Sequence, residues 1–157
     1  MPKKLSEEDY IASLPRKIAG TAVLFRNEAG ELLVVKPDYR DDWLVPGGGI
    51  DEGEDPLSCA VRETKEEIGL TVTSLRLVGI CFKGGKDSHP DALKFIYDGG
   101  VLSPDSIAKI HLQEDELLEY RFVSIGKALA LLTGSLKASL KPCLATLESG
   151  EVAHIAC

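Results

Sequence analysis

WLVPGGGIDEGEDPLSCAVRETKEEIGL, residues 43–70, is the stretch that decides the fold. Asp55 suits an N-cap, and Pro56 falls at the first helical position, where a missing N–H costs nothing. Leu57, Ala60, Val61, Thr64 and Ile68 then recur at helical spacing and give one mostly apolar stripe for a core. Gly69 supplies the stop. On the other face, Glu63, Glu66 and Glu67 crowd into an arc of about 100°. Like charges at these spacings repel, so their grouping points to something that neutralises them. A hard divalent cation does so: Mg²⁺ prefers carboxylate oxygen, with Mn²⁺ the alternative. Arg62 is placed to hold one carboxylate by a two-pronged hydrogen bond.

Three glutamates alone also describe an ordinary solvated helix face. The preceding segment tips the balance. Gly47, Gly48 and Gly49 open backbone conformations closed to other residues and let a ligand approach closely. A carbonyl of Gly47 or Gly48 is therefore a further candidate metal ligand.

With these residues in place, the chain resembles the Nudix family. Gly48, Glu54, Arg62, Glu63, Glu66, Glu67, Gly69 and Leu70 reproduce its box at the expected spacing. Thr64 in an aliphatic slot is the one departure, and its methyl can still pack. Seven fixed Gly, Glu and Arg positions match by chance on the order of 10⁻⁸ per window. The resemblance covers about residues 16–135 and leaves the tail uncovered. It implies an α/β fold, a Nudix-type α/β/α sandwich with a mixed sheet, and one domain over 1–157. It further implies Mg²⁺-dependent hydrolysis of a nucleoside diphosphate linked to a group X. Glu63, Glu66 and Glu67 then match the metal-binding acids, and Arg62 their orienting partner. Glu54 would stabilise the loop–helix junction or support the metal shell, and Gly48 and Gly69 would shape the site.

Composition agrees with a single folded domain. At 157 residues and 44% hydrophobic, the chain can build a real core. A formal charge of −7 disfavours a general nucleic-acid or anionic-membrane binder. Cys59, Cys81, Cys143 and Cys157 are scattered without a Cys-x-x-Cys pair, so neither zinc nor a disulfide framework is expected. No signal core or membrane-spanning run stands out, so a cytoplasmic location is expected.

Patterning predicts a short helix over 6–14 capped by Ser6, and strands over 16–26 and 31–36 that resemble a β-hairpin. A short strand over 43–45 delivers the glycines. Further strands are expected over 71–82, around 93–98, over 107–112 and over 118–124. A helix over 125–132 precedes one over 136–148, kinked or divided by Pro142, and the tail from Ser149 is ambiguous.

The general base is open between Glu63 and a later acid. Glu116 is favoured, with Glu114 and Glu119 as competitors. Lys36, Tyr39 and Arg40 are candidate substrate contacts ahead of the glycine turn. Trp43 reads as core, His89 in its Gly-rich loop is open between a substrate contact and an ordinary solvated histidine, and His111 and His154 show no partners. Beyond the box, Gly85 and Lys86 stand where ADP-ribose hydrolases of the family tend to carry proline. Lys86, Asp87 and Ser88 offer no tyrosine of the diadenosine polyphosphate type, and no coenzyme A signature is visible.

The leading reading is a pyrophosphohydrolase of a small nucleotide, with dNTP sanitation and nucleotide-sugar cleavage both open. A nucleotide-sensing Nudix module that does not cleave is the alternative, although every box acid is kept. RNA 5′-end pyrophosphohydrolysis is less favoured, because no basic stripe is present. An isomerase acting on an isoprenoid diphosphate would need a longer chain. Many members of the family dimerise, so a homodimer is open.

Overall fold

The structure, a computed structural model, describes residues 5–86, 88–113 and 115–157. The elements in chain order are α1 (Glu7–Ser13), β1 (Ile18–Asn27), β2 (Leu32–Pro37), α2 (Pro56–Ile68), β3 (Arg76–Lys83) and β4 (Ala92–Leu102). They continue with α3 (Pro104–Ile107), β5 (Leu117–Val123), α4 (Ile125–Leu131), α5 (Gly134–Ser149) and β6 (Ala153–Ala156). The strands form one mixed sheet in the order β5-β2-β1-β4-β3-β6. Residues alternate along each strand, so the sheet has two apolar faces. Val23, Phe25, Leu33 and Val35 pack with Ala60 and Ile68 of α2. Ala22, Leu24, Val34 and Ile96 pack with Ala128 of α4 and with Leu136, Leu140 and Cys143 of α5. The result is the expected α/β/α sandwich.

Three local expectations are changed by tertiary contacts. The β1–β2 hairpin opens almost at once, its register holding only at Arg26 opposite Leu32. Residues 43–50 fill the gap: Val35 and Leu44 exchange backbone bonds, while Val23 donates to the Pro46 carbonyl and Thr21 to that of Gly48. Residues 107–112 do not extend the sheet. His111 and Gln113 instead donate their N–H groups to the carbonyls of Ile68 and Glu67, which satisfies the end of α2. Pro142 does not divide the last helix, because both it and Ala138, whose carbonyl it frees, are exposed to water.

The tail also acquires a role. β6 runs parallel to β3, from Gly79 opposite Ala153 to Phe82 opposite Ala156. This brings Cys157 to Cys81, and the two form a disulfide with Cα atoms 6.9 Å apart. Scattered cysteines gave no sign of that pairing, since it depends on which strand the tail joins. Cys59 and Cys143 are free and buried. Among the described residues, no helix is long and apolar enough to cross a membrane.

Gly47 is the tightest point of the wedge. Its φ is 144°, and a Cβ there would lie 2.3 Å from the Thr21 carbonyl oxygen. Gly30, at φ 76°, has open space around it. Gly47→Ala is therefore expected to destabilise the protein by about 3 kcal/mol or more, against about 1 kcal/mol for Gly30→Ala. Urea unfolding of both variants provides the check, and equal losses would contradict the wedge.

Candidate active site

α2 is built as its sequence prescribes. Asp55 caps it, accepting from the N–H groups of Leu57 and Ser58 at 2.9 and 3.1 Å. Gly69 ends it in the left-handed region at φ 72°, with the His111 ring against its Cα. The buried stripe, however, is rotated. Cys59, Ala60, Thr64, Glu67 and Ile68 are buried, whereas Leu57 is exposed. Thr64 fits its apolar slot because its hydroxyl donates back to the Ala60 carbonyl at 2.7 Å. Cys59 is quiet in the same sense: burial raises its pKa, and its thiol rests 3.2 Å from the Gly49 carbonyl.

Arg62 is the hub. Its guanidinium donates to both Glu54 oxygens at 2.8 Å, to Glu63 at 2.8 Å and to Glu66 at 3.0 Å. It also reaches the Gly49 carbonyl at 3.2 Å. These bonds hold Arg62 firmly charged and pull Glu54 down to about 2. Glu67 turns the other way and accepts the Gly47 N–H at 2.8 Å. It is buried, and desolvation pushes it up to about 8, with help from Glu63, Glu116 and Glu66. Glu63 is raised too, first by burial. A Cβ on Gly48 would stand 2.3 Å from a Glu63 carboxylate oxygen, so any other residue there would displace that carboxylate.

The structure brings Glu116 to this cluster. The loop before β5 hangs on the end of α2 through Gln113, and Glu116 bonds Gln113 and Asp38 by its backbone. Its charge is felt by Glu63, Glu67 and Tyr39. Glu119 is paired with Arg121 on β5, and Glu114 lies outside the described residues. Of the candidate substrate contacts, Lys36 donates to the Arg40 carbonyl at 2.8 Å. Tyr39 is 69% exposed beside the acids, and Arg40 pairs with Asp42 while lining a cavity. Trp43 is core, with the Arg121 guanidinium 4.8 Å above its ring.

Among the described residues, no three acidic, histidine or cysteine side chains converge in a ready metal cage. Glu63 and Glu66 are drawn onto Arg62, and Glu67 onto Gly47. The donor chemistry nonetheless fits a hard cation, because one guanidinium faces a surplus of carboxylates that raise one another's pKa. The Gly48 carbonyl is committed to Thr21, whereas that of Gly47 accepts no backbone bond among the described residues.

On the far side of the glycine turn is a cavity of about 390 Å³. The sequence reading missed it. Lys94 and Lys83 line it together with Gly20, Cys81 and the first residues of α5. The signal was a lysine in the apolar strand LKFIY, on the same side as buried Ile96.

A NUDIX domain model matches residues 16–146. The chain belongs to the Nudix family. The match runs further than the box and its neighbours suggest, through most of α5. This Nudix chain is 42% identical over 66 residues to diphosphoinositol polyphosphate phosphohydrolase 2 of Mus musculus, over 41% of this chain and 37% of that protein. It is 40% identical over 60 residues to the RNA pyrophosphohydrolase of a Psychrobacter species, over 38% of this chain and 35% of that one. The matches thus span little more than a third of these relatives. A solved MutT protein from Methanosarcina mazei shares the fold at TM-score 0.68 and 24% identity, over 88% of this chain and 99% of that one.

The state of Glu67 sets a pH dependence. Folding holds on this carboxyl a proton that the unfolded chain has already released. Without divalent metal, stability should therefore fall as pH rises from about 4.5 toward about 8. Glu67→Gln, which keeps an acceptor for Gly47, should remove that slope and stabilise the metal-free protein by about 2 kcal/mol at pH 8. Melting curves in EDTA decide the matter: parallel pH profiles for the two proteins would refute it.

Proposed function

We propose that this Nudix domain hydrolyses a phosphoanhydride bond in a nucleoside diphosphate linked to a further group X, with Mg²⁺ as the preferred ion and Mn²⁺ as a substitute. The observation that carries the reading is the clustering of Glu63, Glu66 and Glu67 on α2, with Arg62 bonded at once to Glu54, Glu63 and Glu66. The two curated relatives are named as hydrolases of phosphorylated compounds, which agrees with this bond class.

Glu63, Glu66, Glu67 and the Gly47 carbonyl would hold the ion, which when bound offsets phosphate charge and acidifies water. Arg62 keeps the Glu63 and Glu66 carboxylates gathered, and Glu54 fixes Arg62 against the loop–helix junction. Burial beside the glycine turn keeps Glu67 from solvent. Glu116, exposed at the edge of the cluster, accepts the proton of the attacking water in this scheme. A new P–O bond then forms as the bridging P–O bond breaks, releasing a nucleoside monophosphate and phospho-X. Arg40 in the cavity wall and Tyr39 beside the acids are the substrate contacts that the geometry favours, and Lys36 shapes their loop.

Turnover with Mg²⁺ on oxidised and canonical dNTPs, ADP-ribose, nucleotide sugars and dinucleoside polyphosphates tests the proposal. Glu66→Gln should lower kcat at least about a hundredfold, and Glu116→Gln about tenfold to a hundredfold. Metal-dependent nucleotide binding without cleavage of any compound would favour the sensing module instead. Arg62→Ala should cost both stability and turnover, because Glu54 and Glu63 then lose their shared cation.

A further inference from the structure

The cavity behind the glycine turn has a charge opposite to that of the chain as a whole. The chain carries −7, yet among the described residues the titratable side chains lining the cavity are Arg40, Lys83 and Lys94. Among the described residues no Asp or Glu lines it, and Asp42 pairs with the lining Arg40 from beside it. Lys94 sits mid-strand on β4, between Gly20 of β1 and Cys81 of β3, facing the side on which α5 packs. Two residues away on β4, Ala92 lies between Ile18 and Lys83, so both lysines serve the same sheet face. Neither lysine forms an ion pair or side-chain hydrogen bond among the described residues, whereas Arg40 is held by Asp42.

Such an arrangement is unfavourable when empty. Desolvation, followed by the charges of Arg40 and Lys83, lowers the Lys94 pKa. Surface lysines usually avoid this by pointing into water, but Lys94 is fixed by its strand position between two neighbours. The wall opposite is the start of α5, Gly134 to Leu136, whose cap residue Thr133 makes no side-chain cap bond. Backbone N–H groups there add positive partial charge to a pocket that already has two unpaired cations.

The pocket also adjoins the proposed reaction site. Gly47, Gly48 and Gly49 line it, while the same turn receives Glu67 on the Gly47 N–H and Glu63 against Gly48. A ligand crossing the turn can therefore have its anhydride at the acids and its other end at the lysines.

We propose that this cavity receives a phosphomonoester group, remote from the scissile anhydride, on the end of the substrate that lies beyond the glycine turn. The assignment rests on the hydrolase reading for the word substrate, but its chemistry does not: the pocket selects an end group that is charged over a bare base or sugar. Two sources share that chemistry, a phosphorylated cyclitol and a nucleotide with a second phosphate on its ribose.

Calorimetric titration in EDTA separates these sources and needs no turnover. The probes are inositol hexakisphosphate, adenosine 3′,5′-bisphosphate and adenosine. At least one phosphorylated probe is expected to bind the wild type, and adenosine at least tenfold more weakly. Lys94→Met and Lys83→Met should each weaken the phosphorylated probe about tenfold, and Lys94→Arg should restore most of it. The tighter of the two phosphorylated probes names the source. Wild-type affinity in a correctly folded Lys94→Met protein would overturn the proposal, as would adenosine binding equal to the phosphorylated probes, or no binding of either phosphorylated probe. None of these outcomes depends on the Glu66→Gln turnover result, so the two readings fail separately.

Discussion

Everything in this molecule depends on the wedge that residues 43–50 drive between β1 and β2. Backbone bonds run from the wedge to both strands, and the side chains of α2 close over its glycines. No residue with a Cβ fits at Gly47 without overlapping β1, and one at Gly48 would push the Glu63 carboxylate aside. The wedge both splays the sheet and divides the space around it. The box acids and Arg62 lie on one side of the turn, and Arg40, Lys83 and Lys94 on the other.

That division explains how so much charge is tolerated. Arg62 gathers Glu54, Glu63 and Glu66, while Glu67 is left to a backbone N–H in a buried setting. Unpaired buried charge destabilises a fold, and it persists where binding repays the strain elsewhere. Lys94 is the clear case among the described residues, and the buried Glu67, whose pKa is raised by desolvation, flanks the same three glycines.

The ends of the site are held by loops that carry no regularity of their own. His111 and Gln113 give their N–H groups to the Ile68 and Glu67 carbonyls at the end of α2, and the Gln113 link brings Glu116 to the acids. The link is economical in structural terms, since the same contacts end the helix and position a carboxylate.

Local chemistry sufficed to determine α2 from its cap to its left-handed stop, the face shared by its glutamates, the glycine turn and the family. Each of these depends on residues within one or two turns of one another. The continuous apolar runs of β1 and β2 suit a sheet covered on both faces. Which way α2 rolls was decided only in the tertiary structure, because Cys59 rather than Leu57 meets the sheet. So too were the opening of the hairpin, the capping role of His111 and Gln113 and the pairing of Cys81 with Cys157. These depend on contacts between segments far apart in sequence, where many partners are equally plausible by local propensity. Lys94 shows the limit most clearly. Its strand was legible, but the cavity it faces exists only because β1, β4, the glycine turn and the start of α5 meet around it.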